Sequence, residues 1–311
     1  MLPLTPQYPG SAFFLAGMAN LQQEELQTQM QLSTGYRINT AADSPGETPD
    51  LIQLGSSLSA VQAYQQNLTN VQAEATTADQ SLQQSISLIQ NAVTLGTQGA
   101  SSTANANTDQ TLAADVQGIQ QQLVTIANTQ VVGRYIFGGD QDQTPTYQYN
   151  AAAANGTGVA SLSPQTNTRT FVNTEGQTVY QPLTAQQIFD PVDASGNPTG
   201  NNTFFALQSL VTDLQAGNQA NIASDVSALQ QASAYVGQQQ AYYGEAEDRL
   251  TAEETNAANV VTNLQTQASS IRDTNIAEAA TNLTQETTDQ QAALGAESEV
   301  AQQKTLFNFL G

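Results

Sequence analysis

A seven-residue spacing of leucine, isoleucine and valine between residues 51 and 93 constrains the fold more than any other feature of this sequence. One row consists of Leu54, Val61, Leu68, Leu82 and Ile89, and a second row consists of Leu51, Leu58, Ile86 and Val93. The rows lie three and four residues apart, the pattern that forms the seam of a coiled coil. No proline or glycine occurs between residues 56 and 95, so the spacing predicts one helix of about 60 Å.

Helical spacing continues on both sides of the middle of the chain. Gly96 and Gly99 are predicted to end the first helix, and Asp109 is predicted to be the N-cap of a second helix. Helical spacing returns at residue 204. The C-terminal part of the intrachain seam is predicted to consist of Leu250, Val261, Leu264 and Ile271. The sequence therefore predicts a mainly α protein, a long helical coiled-coil or bundle rod built from its N- and C-terminal segments.

The middle of the chain differs from the helical segments in composition. Five of the ten prolines, many glycines and several short runs of β-type residues lie there. The clearest pattern is two alternating runs, 168–172 and 177–180, which flank a turn that contains Gly176. Such a pattern predicts a β-hairpin. We therefore expect a small β-rich domain inserted between the two helical parts.

The composition excludes most chemistry. The chain of 311 residues has 6 Lys and Arg against 27 Asp and Glu, a formal net charge of −21, and it has no His and no Cys. A strongly acidic chain repels phosphate backbones, so we expect no nucleic-acid partner. Without His or Cys, the usual zinc sites and the Ser-His and Cys-His triads are excluded. We predict no catalytic residue, no cofactor and no metal site.

The two ends of the chain carry narrower apolar rows than the central helices. We predict that both ends order on assembly with copies of this chain, because each alone buries too little to offset the loss of backbone entropy. The predicted assembly interface consists of Phe14, Met18, Leu21, Ile276, Leu283, Val300, Leu306, Phe307 and Leu310. No run of about 18 apolar residues is present, so we expect no membrane insertion. The absence of a basic N-terminal region predicts export without a cleaved signal peptide.

Three segments resemble the flagellin superfamily. Residues 31–46, which include Arg37 and Asn39, resemble its N-terminal signature, although Tyr36 stands where a basic residue is common. Residues 128–139 resemble an element of the hook–filament junction proteins of that superfamily, on Gly133, Arg134, Tyr135, Phe137, Gly138 and Gly139. Residues 273–283 and the final 306–311 are similar to the closing helix of the same proteins.

The resemblance implies a structural role in the bacterial flagellum. It implies an extracellular subunit at the hook–filament junction that packs in a helical polymer and has no enzymatic activity. The implied partners are copies of itself, the hook-side junction protein, flagellin and an export chaperone. The predicted segments are an assembly and export arm (1–49), a helical hairpin of the rod (50–137), the β-rich insertion (138–203), the C-terminal helices of the rod (204–275) and an assembly helix (276–311).

Other functions stay open on the sequence alone. The closest alternative is a true flagellin, the filament subunit, because the signature around Arg37 is shared within the superfamily. A secreted coiled-coil adhesin would need no flagellar export. A glycan-active enzyme could use two carboxylates of the insertion, such as Asp190 and Asp193. Antibody label along the whole filament would favour a flagellin, and flagella without label would favour an adhesin. Hydrolysis that is lost in Asp190→Asn would favour an enzyme.

Overall fold

The computed structural model describes residues 9–101, 106–153, 155–164 and 166–302, which are mainly helical with short strands in the middle of the chain. The helices are α1 (Pro9–Thr34), α2 (Thr48–Gly99), α3 (Ala106–Ala127), α4 (Ala185–Phe189), α5 (Thr203–Ala216), α6 (Gln219–Arg272) and α7 (Ile276–Gln302). The strands are β1 (Gln130–Val131), β2 (Arg134–Tyr135), β3 (Tyr147–Tyr149), β4 (Val159–Ser161), β5 (Phe171–Val172) and β6 (Thr178–Tyr180). They form three antiparallel pairs, β1 with β2, β3 with β4 and β5 with β6. The predicted fold class is confirmed.

The chain divides into two compact units. The terminal unit consists of residues 1–63 and 259–311, and the central unit consists of residues 64–258. Both α2 and α6 contribute residues to each unit. Among the described residues, none of the helices combines the length and the apolar character that crossing a bilayer requires.

The core of the central unit follows one of the two predicted rows on α2. Leu68, Leu82 and Ile89 are fully buried. The second buried row differs from the prediction, because Ile86 and Val93 are only half-buried. It consists instead of Ala78, Ser85, Ala92 and Gly99. Small side chains on this row let neighbouring helices approach the α2 backbone closely.

Two glycines near the end of α2 contact the helices that follow. A Cβ on Gly96 would lie 2.6 Å from Cγ2 of Val226 and 3.2 Å from Cδ1 of Leu210. A Cβ on Gly99 would overlap Cδ2 of Leu214. Of the two glycines predicted to end the first helix, Gly96 lies within α2 and Gly99 is its last residue. These glycines create the space into which α5 and α6 pack.

The α6 helix carries the most regular row of the molecule. Buried residues recur every seven positions at Ile222, Leu229, Val236, Tyr243, Leu250 and Ala257. Three tyrosines on or beside this row bind the backbone of α4 and of the segment that precedes it. The hydroxyl of Tyr235 donates to the carbonyl of Gln187 at 2.8 Å, and that of Tyr242 donates to the carbonyl of Gln181 at 2.6 Å. The backbone N–H of Leu183 donates to the hydroxyl of Tyr243 at 3.1 Å. The inserted segment is therefore fixed to α6 by hydrogen bonds between its backbone and tyrosine hydroxyls.

The insertion has less β-structure than its composition suggested. The predicted hairpin is confirmed as β5 paired with β6. The helix α3 ends at Ala127 and the hairpin of β1 and β2 follows it, while the start of the insertion at residue 138 stays a prediction. Asp109 as an N-cap was wrong, since α3 begins at Ala106 and Asp109 lies within its first turn.

In the terminal unit, the predicted seam residues are less buried. Leu51, Leu54, Leu58 and Val61 of α2 and Val261, Leu264 and Ile271 of α6 are all half-buried. A contact with a further chain would bury these positions more fully, and their role as an intrachain seam stays a prediction.

Two carboxyl groups face each other where α5 is joined to α6. Burial, together with a hydrogen bond and the charge from Asp213, raises the pKa of Asp225 to about 7. Asn221 donates from its side-chain amide to Oδ1 of Asp213 at 3.2 Å, which orients that carboxyl. The folded chain therefore holds the Asp225 proton up to a higher pH than an unfolded chain does.

Replacing Ile89 with alanine should lower the free energy of unfolding by about 2–5 kcal/mol, because the buried side chain leaves a cavity. The Ile86→Ala variant is the matched control on the same helix, and it should lose clearly less because Ile86 is only half-buried. Chemical denaturation of both variants measures the difference. Equal losses would contradict the arrangement of buried rows on α2.

The Asp225→Asn variant should change how stability depends on pH. The folded-state pKa of about 7 lies above the reference value of 3.8, so the folded state of the wild type binds the proton more tightly than the unfolded state. The stability of the wild type relative to the variant should therefore fall as pH rises from about 4 to about 7 and stay constant above that. Thermal melts of both proteins across this range test the prediction, and a constant difference would refute it.

Candidate assembly surfaces and family motifs

The first motif forms the connection between α1 and α2. Backbone N–H groups of Arg37 and Ile38 donate to the carbonyl of Arg272 at 2.7 and 3.3 Å. Nη2 of Arg37 donates to Oε2 of Glu47 at 2.6 Å and to the carbonyl of Ile271 at 2.7 Å. The buried side chain of Ile38 anchors the middle of this connection. Arg37 thus joins the start of α2 to the end of α6 within the terminal unit.

Asn39 and Asp43 close the turn that follows. Oδ2 of Asp43 accepts from the backbone N–H groups of Thr40 at 2.7 Å and Asn39 at 2.8 Å. These backbone hydrogen bonds lower the pKa of Asp43. The side-chain amide of Asn39 donates to the carbonyl of Tyr36 at 2.8 Å. The two motif residues, Arg37 and Asn39, therefore act by holding backbone in place.

Tyr36, which departs from the family pattern, has a partner of its own. The guanidinium of Arg272 lies over its ring at 3.8 Å from the centroid, a cation–π contact. Tyr36 also forms an antiparallel bridge with Asp273. The carbonyl of Gly35 accepts from the N–H of Thr274 at 2.9 Å. An aromatic residue at position 36 therefore connects the α1–α2 loop to the joint between α6 and α7.

The second motif, residues 133–139, organises the central unit. Phe137 is fully buried and meets the rings of Phe189 and Tyr243 edge to face, with centroids 6.2 and 6.4 Å apart. Its carbonyl accepts from the N–H of Ala185 at 2.9 Å. The motif therefore connects the β1–β2 hairpin to α4 and α6 through one aromatic side chain.

Two arginines converge on Asp142, just after this motif. Nε of Arg134 donates to Oδ2 of Asp142 at 2.6 Å, and Nη1 of Arg169 donates to the same oxygen at 3.3 Å. Burial opposes the ionised form of Asp142, but hydrogen bonds from Gln143 and Arg134 and the charges of both arginines lower its pKa. Nη2 of Arg169 also donates to Oε2 of Glu74 on α2 at 3.2 Å. Burial raises the pKa of Glu74 in spite of this arginine.

The paired glycines of the motif lie where a side chain has no space. Gly139 has a φ of 58°, and a Cβ there would overlap the carbonyl oxygen of Thr166. A Cβ on Gly138 would lie 3.1 Å from Cα of Asp142. By contrast, Gly133 has a φ of 74° with open space around it. Gly138 and Gly139 are therefore required for close backbone approach, and Gly133 is required for its φ alone.

The predicted assembly residues divide between two environments. Phe14, Met18 and Leu21 are half-buried on the face of α1 that lies against α7, and so is Leu283 on α7. Thr28 on the same face donates to Oε1 of Glu286 at 2.9 Å. These residues are only half-buried within one chain, so their role in the assembly interface stays a prediction. Ile276 is exposed, the backbone of Val300 continues α7, and Leu306, Phe307 and Leu310 lie outside the described residues.

The face of α1 that points away from α7 carries a separate apolar row, here called the outer row of α1. Its larger members are Leu15, Leu26 and Met30, which are 65%, 61% and 45% exposed. Ala19 and Gln22 continue the same face at helical spacing, and no charged residue lies among them. A row of this kind on a chain with a net charge of −21 is a candidate contact surface.

The two carboxylates considered for glycan chemistry have structural contacts. Asp190 is buried and accepts from the hydroxyl of Tyr147 at 2.9 Å and the amide of Asn202 at 2.6 Å. Burial raises the pKa of Asp190 in spite of these hydrogen bonds. Asp193 lies in an exposed turn and accepts from the backbone N–H groups of Ser195 and Asn197 at 2.8 and 2.9 Å. Asp190 and Asp193 therefore serve different local structures.

Comparison with known families identifies the class of this protein. The bacterial flagellin N-terminal helical region matches residues 12–142, and the bacterial flagellin C-terminal helical region matches residues 226–310. Because these matches cover more than half of the chain, the chain belongs to the flagellin family.

Curated relatives within this class share one name. Flagellar hook-associated protein 3 of Escherichia coli K12 is 26% identical over 204 residues, which are 65% of this chain and 63% of the relative. The protein of that name from Salmonella typhimurium LT2 is 25% identical over 210 residues, 67% of this chain and 65% of the relative. The matched part therefore spans just under two thirds of each relative's length.

Solved structures show the same fold. A structure described as a flagellar hook-associated protein from Vibrio parahaemolyticus has a TM-score of 0.64 at 16% identity, with 74% of this chain and 100% of that chain covered. FlgL of Bacillus cereus has a TM-score of 0.56 at 16% identity, with 70% of this chain and 99% of that chain covered. At this identity the likeness concerns the fold alone.

Substitution of the motif glycines by alanine should separate the two roles of glycine. Gly133→Ala should cost about 1–2 kcal/mol, since it only forces a left-handed residue to carry a Cβ. Gly139→Ala should cost about 1–3 kcal/mol more, because the Cβ also overlaps backbone at Thr166. Denaturant unfolding measures both values. A Gly139→Ala variant as stable as Gly133→Ala would show that the backbone contact does not constrain the motif.

Proposed function

We propose that this chain is a structural subunit of the bacterial flagellum that joins the hook to the filament by packing as a helical polymer. The observation that carries the proposal is the similarity to two proteins named flagellar hook-associated protein 3, at 26% and 25% identity over about two thirds of this chain. The segment from Gly133 to Gly139 lies within the match to the flagellin N-terminal helical region, and its Phe137 is fully buried in the central unit.

The outer row of α1 supports the assembly part of this proposal. Leu15, Leu26 and Met30 are exposed although each could be buried against an apolar partner. Burial of such side chains on association is worth about 1.5–3 kcal/mol for each one that becomes fully buried. Copies of this chain are the proposed partners at this row, because its uncharged surface lets two acidic molecules approach.

The proposal extends to the neighbours of the subunit in the flagellum. We infer contacts with a hook-side junction protein and with flagellin, and an export chaperone before assembly. The subunit would act outside the cell after export in an unfolded form. The narrow α1–α7 contact supports this, since helices held by a thin apolar row unfold at low cost. Its α1 row and α7 would then form their final contacts in the polymer.

A true flagellin is the second candidate. The matches to both flagellin helical regions are consistent with a flagellin. These regions are common to the whole class, so the matches alone do not separate the two candidates. The curated relatives, which carry the junction protein's name, favour the first candidate. The place of the protein along the flagellum separates the two.

Immunogold labelling with an antibody to residues 140–200 should mark a narrow band where the hook meets the filament. Label along the whole filament would instead identify a flagellin, and flagella without label would refute both candidates. A Leu26→Asp variant should give no band while melting like the wild type, because this side chain is 61% exposed. A normal band from that variant would remove α1 from the assembly surface.

A further inference from the structure

The turn between β1 and β2 contains an unfavourable residue. Val132 and Gly133 join the strands, and their φ angles are 51° and 74°. Positive φ at both central positions is the pattern of a type I′ turn, which favours Asn followed by Gly. A β-branched side chain in the left-handed region is a genuine outlier, because its Cβ substituents crowd the backbone. Valine is therefore a poor choice for the local structure.

The side chain of Val132 gains nothing within its own chain. It is 86% exposed, the highest value among the large hydrophobic residues of the described chain. The hairpin that carries it is held firmly, since the N–H of Tyr135 donates to the carbonyl of Asp142 at 2.8 Å. The N–H of Ile136 donates to the carbonyl of Thr129 at 3.0 Å. Val132 is thus an apolar projection on a fixed support, at a local energetic cost.

The terminal unit has a concave surface that suits such a projection. An open groove of about 600 Å³ lies beside the start of α2. It is lined by Ala41, Pro45, Thr48, Pro49, Ile52, Gln53, Ser56 and Ser57. All of these residues are uncharged, although the whole chain has a net charge of −21. Ile52 is 68% exposed in this groove, and a valine side chain is small enough to pack against it.

We propose that the Val132 turn of one subunit inserts into the Ile52 groove of a second copy of this chain, an inference that rests on the proposed function as a polymer subunit. Charge favours a second copy as the occupant. Arg134, at the base of the turn, leaves 55% of its side chain exposed, and the exposed Asp50 lies beside the groove. The turn and the groove are two different surfaces of the same chain, so each copy can use both of them and the contact repeats from one copy to the next. This repetition is what a helical polymer requires.

The Val132→Asn variant separates a binding role from a structural one. Asparagine suits the left-handed position better than valine, so the monomer should melt at the same temperature or higher. The binding role predicts that assembly at high protein concentration, measured by sedimentation velocity, falls at least tenfold. The control is Val172→Asn, at a valine that is 43% exposed in β5, which should assemble like the wild type. Normal assembly of Val132→Asn would overturn the proposal.

Cysteine cross-linking tests the contact itself, because the chain contains no cysteine. One full-length preparation carries Val132→Cys and a second carries Ile52→Cys, and the two are mixed, assembled and oxidised. A disulfide between them needs Cα atoms within about 7 Å, and any mixed product joins two molecules. We expect a covalent dimer in this mixture and none when Val172→Cys replaces Val132→Cys. Absence of the dimer in an assembled mixture would overturn the proposal.

The two experiments distinguish this inference from the function on which it rests. If the wild type assembles, Val132→Asn assembles normally and Val132→Cys gives no cross-link to Ile52→Cys, only the turn-in-groove contact is wrong. If the wild type does not assemble and gives no label on flagella, the proposed function fails, and the contact between copies fails with it. Loss of assembly in Val132→Asn together with the specific cross-link would support both.

Discussion

The close approach of helices at Gly96 and Gly99 is the constraint on which the central unit depends. Each glycine inside a helix costs about 1 kcal/mol relative to alanine. Here that cost is offset because Leu210, Leu214 and Val226 occupy the space above the α2 backbone. Leu210 and Leu214 become fully buried as a result. The position of α5, and with it the Asn202 cap and its partner Asp190, follows from this contact.

Electrostatics then determine which surfaces remain for other molecules. Arg37, Arg134, Arg169 and Arg272 all form ion pairs with acids of their own chain. They support the two family motifs, and the whole chain keeps a strongly acidic surface with a net charge of −21. Two such surfaces repel at low ionic strength, and salt screens that repulsion over about 8–10 Å. Contacts between copies are therefore favoured on uncharged patches, the outer row of α1 and the Ile52 groove.

Local patterns in the sequence predicted a large part of the fold, and long-range contacts account for what they missed. The burial of Leu68 and Ile89 and the pairing of β5 with β6 follow from spacing and turn residues alone. The second buried row of α2 could not be predicted from spacing. Its residues are small because neighbouring helices lie close to the α2 backbone, and spacing alone does not reveal such neighbours. The sequence also did not show that Phe14 lies beside α7 of its own chain, since periodicity defines an apolar face without naming its partner. The contact of Tyr36 with Arg272 joins distant parts of the sequence and has no local signal.

A polymer subunit must resist assembly until it reaches its place, and under the proposed function this requirement explains why unfavourable features persist. Strong single contacts would let free copies associate early, whereas many weak contacts act together only in a lattice where several form at once. Under the proposed contact Val132 fits this logic, because its strained turn weakens the isolated chain slightly and its exposed side chain would gain contacts beside another copy. The half-buried α1–α7 contact fits it too, since a weakly held helix pair adapts to neighbours. Stability that is withheld from the monomer in this way becomes available to the polymer.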